Sequence, residues 1–128
     1  MANDKFPINS DIDYLHTLTQ NDAVLDLSTL DWYGIRWFYK TSTNKKVAIA
    51  AYEIADVEVG FTENLVALVE ADGTCISHIQ RADMAIPSGV RIFWQPYTKI
   101  ADALHDTDFE GAGEEVEAGI SVDADTIV

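Results

Sequence analysis

Basic residues are scarce in this chain: 8 lysines and arginines stand against 22 aspartates and glutamates, for a formal net charge of −14. Nucleic acid and anionic membrane surfaces repel such a chain, so neither is expected as a partner. A basic protein partner or divalent counterions fit better. There is one cysteine, Cys75, which excludes an intrachain disulfide and leaves nothing to mark an oxidising compartment. The start, MANDKFPINSD, has no charged lead followed by an apolar run, so no secretory signal is expected there. No apolar run approaches the roughly 20 residues that cross a bilayer as a helix. The expectation is a protein made in the cytoplasm.

The 128 residues are 48% hydrophobic, a globular composition sufficient for one domain with one core. The charge is unevenly spread. The stretch from Asp106 to Val128 carries eight acidic residues, no basic one and three of the seven glycines. It divides the chain into a body, residues 1–105, and an acidic tail or docking arm, residues 106–128, expected to be a flexible, solvated tail or else an arm that orders against a neighbouring subunit. Ile120, Val122 and Ile127 give that tail apolar points by which it can order against a neighbour.

The body is dominated by period-two alternation, the mark of strands with one buried face. Ile12, Tyr14, His16 and Leu18 share a face, and Asn21-Asp22 reads as a turn. Residues 24–27 form a short extended piece. Residues 32–41 give the clearest strand, with Tyr33, Ile35, Trp37 and Tyr39 facing the core. Trp32, Arg36, Phe38 and Lys40 make an amphipathic outer face. Thr41 to Lys45 is a hairpin connection, and strands follow at 46–52, 56–61 and 65–70. Asp72-Gly73 supplies the positive φ of a tight turn before a returning strand at 74–79. Pro87-Ser88-Gly89 makes another turn, and Pro96 closes the last strand, 90–95. Residues 98–105 read equally as a short helix or an extended exit. About seven short strands at spacings of roughly 8 to 12 residues, with no helical period between them, predict an all-β, antiparallel two-sheet sandwich.

Candidate chemistry is thin. His16, His78 and His105 lack metal-ligand spacing. His16 runs in phase with apolar residues and is expected to be a satisfied interior histidine, and His78 to be a rim residue. Cys75 and His78 lie three apart on one strand and point to opposite faces, so they make no dyad. The pairs Asp11/Asp13 and Asp123/Asp125 lack the loop of a calcium hand. No phosphate-binding loop, dinucleotide fingerprint or G-x-S-x-G motif occurs. The sequence therefore offers no case for an enzyme and assigns no catalytic, cofactor-binding or metal-binding residue.

The remaining signal is aromatic. Trp32, Arg36, Phe38 and Lys40, joined by Trp94 and Tyr97, combine the residue types enriched at interface hot spots. They are the candidate interface. If Trp32 or Trp94 were exposed beside carboxylates, the same set would serve as a sugar-stacking platform. An acidic inhibitor, encoded by a phage or mobile element, that imitates DNA phosphates in the basic groove of a host nuclease or defence protein is a further reading of the charge, and it requires carboxylates spaced along the folded body.

The stretch DLSTLDWYGIRWFYKTSTNKKVAIAAY resembles small immunoglobulin-like domains of tailed-phage structural proteins, similar to the N-terminal domain of phage baseplate upper proteins and to leading domains of fibre proteins of Bacteroidales phages. ENLVALVEADG and IPSGVRIFWQPY fit the same layout, so the resemblance spans roughly residues 10 to 97. It implies an immunoglobulin-like sandwich that binds other virion proteins, without catalysis or cofactor, in a virion assembled in the host cytoplasm. Symmetric self-assembly is one way to cover its sheet edges. Those proteins continue into long fibre regions. This chain ends in an acidic tail, which points to a capsid decoration protein or a tail or fibre adaptor.

Overall fold

The computed structural model describes residues 4–7, 11–20, 22–55, 58–100 and 109–123. In chain order the strands are β1 (Asp4–Pro7), β2 (Ile12–Thr17), β3 (Thr19–Gln20), β4 (Ala23–Val24), β5 (Trp32–Lys40) and β6 (Lys46–Glu53). They continue with β7 (Leu65–Val69), β8 (Thr74–Ile79), β9 (Arg91–Ile100), β10 (Phe109–Ala112), β11 (Val116–Glu117) and β12 (Ile120–Asp123). Single turns of 3-10 helix interrupt them, and the fold is all-β as expected. A larger antiparallel sheet runs β10-β9-β5-β6, with β11 also on β9, and a smaller one runs β2-β8-β7. β1 and β12 pair in parallel, unlike the strands of these two sheets.

Strand β5 has the phase read from its sequence. Tyr33, Ile35 and Trp37 are buried against the smaller sheet, whose inner face presents Ile12, His16, Cys75, Ser77 and Ile79. Contacts between the sheets are specific as well as apolar. The Tyr14 ring meets Trp37 edge-on at 5.1 Å, and the His16 ring meets Trp94 at 4.4 Å. The Trp37 indole donates to Ser77 Oγ at 3.1 Å. These arrangements satisfy the preference of rings for edge-on packing and of buried N–H groups for an acceptor.

Turn chemistry places the connections. Asp22 and Asn44 take positive φ at the tips of β3–β4 and β5–β6, which short polar side chains tolerate. Gly73, also at positive φ, closes β7–β8 and accepts from the Leu18 N–H at 2.8 Å.

Three expectations need correction. The strand expected at 56–61 does not form at 58–61. These residues make a turn that folds over the larger sheet, held where the Glu58 N–H donates to Glu53 Oε1 at 2.9 Å; positions 56 and 57 lie outside the described residues.

Pro96 does not end the last strand, which runs on to Ile100. The Pro96 carbonyl accepts from the Gly113 N–H at 2.8 Å, so its missing donor faces the break between β10 and β11 and no ladder bond is lost to β5. Residues 98–100 are thus extended, and 101–105 lie outside the described residues.

The acidic stretch does not run free at 109–123. β10 and β11 pair with β9, and Ile120 and Val122 are buried in the core beside β1. Alternating apolar residues and an open edge on β9 outweigh the local charge. Ile127 lies outside the described residues.

A Cβ on Gly73 would sit 2.6 Å from the Leu18 carbonyl oxygen and 2.7 Å from that of Leu25, at a φ of +72°. Gly73→Ala is therefore expected to destabilise the protein by about 2–4 kcal/mol, combining strain at φ above zero with a backbone clash. Urea unfolding monitored by tryptophan fluorescence measures this. Asn44→Gly, at an open hairpin with the same sign of φ, serves as the near-neutral comparison.

Candidate functional site

Two outer surfaces and one interior cluster hold the chemistry of the molecule. The outer face of the larger sheet is built from alternate residues of β5, β6 and β9. Trp32 and Phe38 lie on it as the sequence predicted, yet both are buried, at 5% and 7% exposure. Phe38 stacks on Phe93 with ring planes 8° apart, and Phe61 from the turn after β6 packs edge-on against Trp32 at 5.1 Å. The Trp32 indole donates to Glu53 Oε1 at 2.9 Å.

Cations form the lid over these rings. Lys40 lies 4.5 Å from the centroid of Phe93, Arg91 5.0 Å from the same ring, Lys46 5.0 Å from Phe38 and Lys99 5.5 Å from Trp32. Arg36 lies over both Phe61, at 4.7 Å, and Tyr97, at 5.2 Å. Five of the eight basic residues are thus gathered on one face of a chain with net charge −14. Long aliphatic stems cover the apolar rings while the charged ends reach water, and the ring faces attract the cations.

Carboxylates pair with four of the five. Glu115, between β10 and β11, bridges Lys40 at 3.3 Å and Lys46, and Glu117 on β11 binds Arg91 at 2.8 Å. Arg91 holds the Glu117 carboxyl below its ordinary range, mainly through that hydrogen bond. Glu58 binds Lys99. Among the described residues Arg36 alone of the five has no carboxylate within ion-pair distance.

The candidate interface is therefore partly corrected. Arg36, Lys40 and Tyr97 present polar atoms on this face, whereas Trp32 and Phe38 lie beneath the cations. Trp94 belongs to the opposite side of β9. It sits across from Trp37 in register and is 5% exposed in the core, because alternation along β9 turns it away from the face that carries Phe93 and Tyr97. With Trp32 and Trp94 both buried, the tryptophan platform that a sugar would stack on is not formed.

The second surface is the outer face of the smaller sheet, which sequence reasoning missed. Leu15, Ile76 and Val66 stand side by side across β2, β8 and β7. Leu15, Val66 and Leu68 are 54%, 48% and 55% exposed, and Val69 continues the row. Beside it, His78 Nδ1 meets Asp13 Oδ1 at 2.7 Å. The available signal was the run LVALV on β7, apolar on both faces, which marks a strand with cover on both sides.

The interior cluster is His16, Ser77 and Trp37. His16 is fully buried, with Nε2 2.6 Å from Ser77 Oγ. Burial pushes its pKa down from 6.5 to about 3, so the ring is neutral. Cys75 is buried on the same side of β8, and burial raises its thiol to about 12. His78 points outward from that strand, so Cys75 and His78 are separated as their spacing predicted. Asp11 accepts from the Arg81 backbone N–H at 2.7 Å, so both carboxylates of the first Asp-x-Asp pair serve local structure. Among the described residues no group of histidine, cysteine and carboxylate side chains is arranged to hold a metal.

No protein-family model matches the chain, and no curated protein sequence matches it either.

Unfolded, His16 takes up a proton near pH 6.5, but folded it does so only near pH 3. Between these values the unfolded chain binds more protons, so the stability present above pH 6.5 is lost progressively as pH falls. The loss approaches about 1.4 kcal/mol per pH unit within the window. Urea midpoints measured from pH 7 to pH 4 are expected to fall more steeply for the native protein than for His16→Gln. Parallel slopes would remove His16 from the acid sensitivity.

Proposed function

We propose that this protein is a structural component of a tailed-phage virion, an immunoglobulin-like adaptor or decoration protein that works by docking onto neighbouring virion proteins. The observation that carries the reading is the row Leu15, Ile76, Val66 and Leu68 across the smaller sheet. A contiguous exposed apolar row is unusual on a protein with no partner and marks a binding surface. Its rim supplies polar groups, Asp13 and His78, in the pattern of an apolar centre with a polar border. The segments that resemble phage domains include the hairpin β5–β6, strand β7 and most of β9, so the likeness falls on the framework of both sheets.

Purified virions are expected to contain the protein, and recombinant protein to co-sediment with particles that lack it. Val66→Asp and Leu68→Asp place charge on the apolar row without touching the core. Each is expected to weaken co-sedimentation at least ~30-fold, the equivalent of about 2 kcal/mol at an interface centre, while far-ultraviolet dichroism stays unchanged. Stringently purified virions devoid of the protein would overturn the assignment.

A further inference from the structure

We propose that the outer face of the larger sheet is a second binding site, for an acidic extended peptide of a partner that adds to the free edge of β6 and delivers a carboxylate to Arg36. Three features on that face support this. First, Arg36 is held ready. Its guanidinium rests on Phe61 and Tyr97, at 4.7 and 5.2 Å, and no carboxylate among the described residues occupies it. A guanidinium restrained by rings loses little freedom when it takes a carboxylate by two parallel hydrogen bonds.

Second, there is room beside it. A depression of about 430 Å³ is lined by Arg36, Lys46, Gln95 and Tyr97, with Ala48 and Ala51 keeping it shallow and open. Third, β6 is the outermost strand on its side of the sheet. Among the described residues the backbone of its far edge is bonded only by Thr62, to Ala51 and Glu53. The edge along 46–50 is left to accept a strand.

The chain demonstrates this recognition on its own opposite edge. There its acidic segment lies against β9, and Glu115 and Glu117, two residues apart, turn their carboxylates onto Lys40, Lys46 and Arg91. Alternation sends every second side chain of an added strand to one face. A peptide on β6 with acidic residues at alternate positions would therefore set its carboxylates over Arg36 and beside Lys46. The charge of the face selects against basic peptides, and the alternation selects for spacing.

This site does not use the apolar row of the smaller sheet, so Val66→Asp leaves it intact and the two readings fail separately. The test is titration of the full chain with a ten-residue peptide of alternating threonine and glutamate, followed by calorimetry and amide chemical shifts. Expected are binding in the range of about 10–500 µM, shifts concentrated at residues 46–51, and weakening as salt rises from 50 to 500 mM. Arg36→Gln is expected to lower affinity about tenfold or more, and Arg36→Lys, which keeps charge but loses the fork, to fall between the two. Thermal melts establish that both variants fold. If Arg36→Gln does not fold, Lys46→Gln and Arg36→Lys carry the comparison, each with an expected loss of affinity of at least threefold. The proposal is overturned by no binding at millimolar peptide, by equal binding of a threonine–lysine peptide, by variants that bind like the native protein, or by shifts confined to β2, β7 and β8.

Discussion

Strand β5 is apolar on both faces and lies in the middle of its sheet, and the rest of the molecule is arranged to cover it. Tyr33, Ile35 and Trp37 are covered by the smaller sheet, the ordinary solution for a sandwich. Trp32 and Phe38, on the other side, have no third layer above them. Their cover is assembled from the Phe61 turn, from Lys99 over Trp32 and Lys46 over Phe38, and the neighbouring Phe93 is covered by Lys40 and Arg91. This explains a concentration of positive charge that net composition would not suggest. The cations are there because long stems with charged ends can close an apolar surface to water without creating another apolar surface.

Much of the framework was readable because period two is hard to mistake when one face is buried. The strands at 12–17, 32–40, 46–53 and 74–79 lie where alternation puts them, that at 65–69 where its apolar run puts it, and the Asp72-Gly73 and Pro87-Ser88-Gly89 turns fall where their residue types require. What failed depended on neighbours distant in sequence. Pro96 is a strand terminator by local chemistry, but here the side it leaves without a donor faces an interruption in the next strand. The acidic residues of 109–123 suggested solvation, while their cation partners are supplied by β5, β6 and β9.

The candidate interface was legible in its phase and not in its exposure. Alternation correctly placed Trp32, Arg36, Phe38 and Lys40 together, but it carries no information about what lies above a face. Trp94 was grouped with that set by residue type and not by phase; on β9 it faces the core and pairs with Trp37. The exposed row of Leu15, Val66 and Leu68 lay hidden among residues whose hydrophobicity reads as core. The segments behind the phage resemblance, β5–β6, β7 and β9, are framework strands that also carry the outer faces, Arg36 on one and Val66 on the other.

The two outer faces of the sandwich differ in kind, and the difference follows from how each was closed. The larger sheet carried too much aromatic surface and was sealed with cations, which need counterions. Its own acidic segment supplies some of them along the β9 edge while Ile120 and Val122 anchor that segment in the core. Charge neutralisation and core completion are thereby coupled through one stretch of chain. The smaller sheet carries fewer large rings and was left unsealed, with aliphatic side chains in water. Burial of an unsealed apolar row is favourable, and a cationic face whose Arg36 has no carboxylate among the described residues attracts one. Because the faces belong to different sheets packed back to back, the two proposed sites do not overlap, and occupying one would leave the other open.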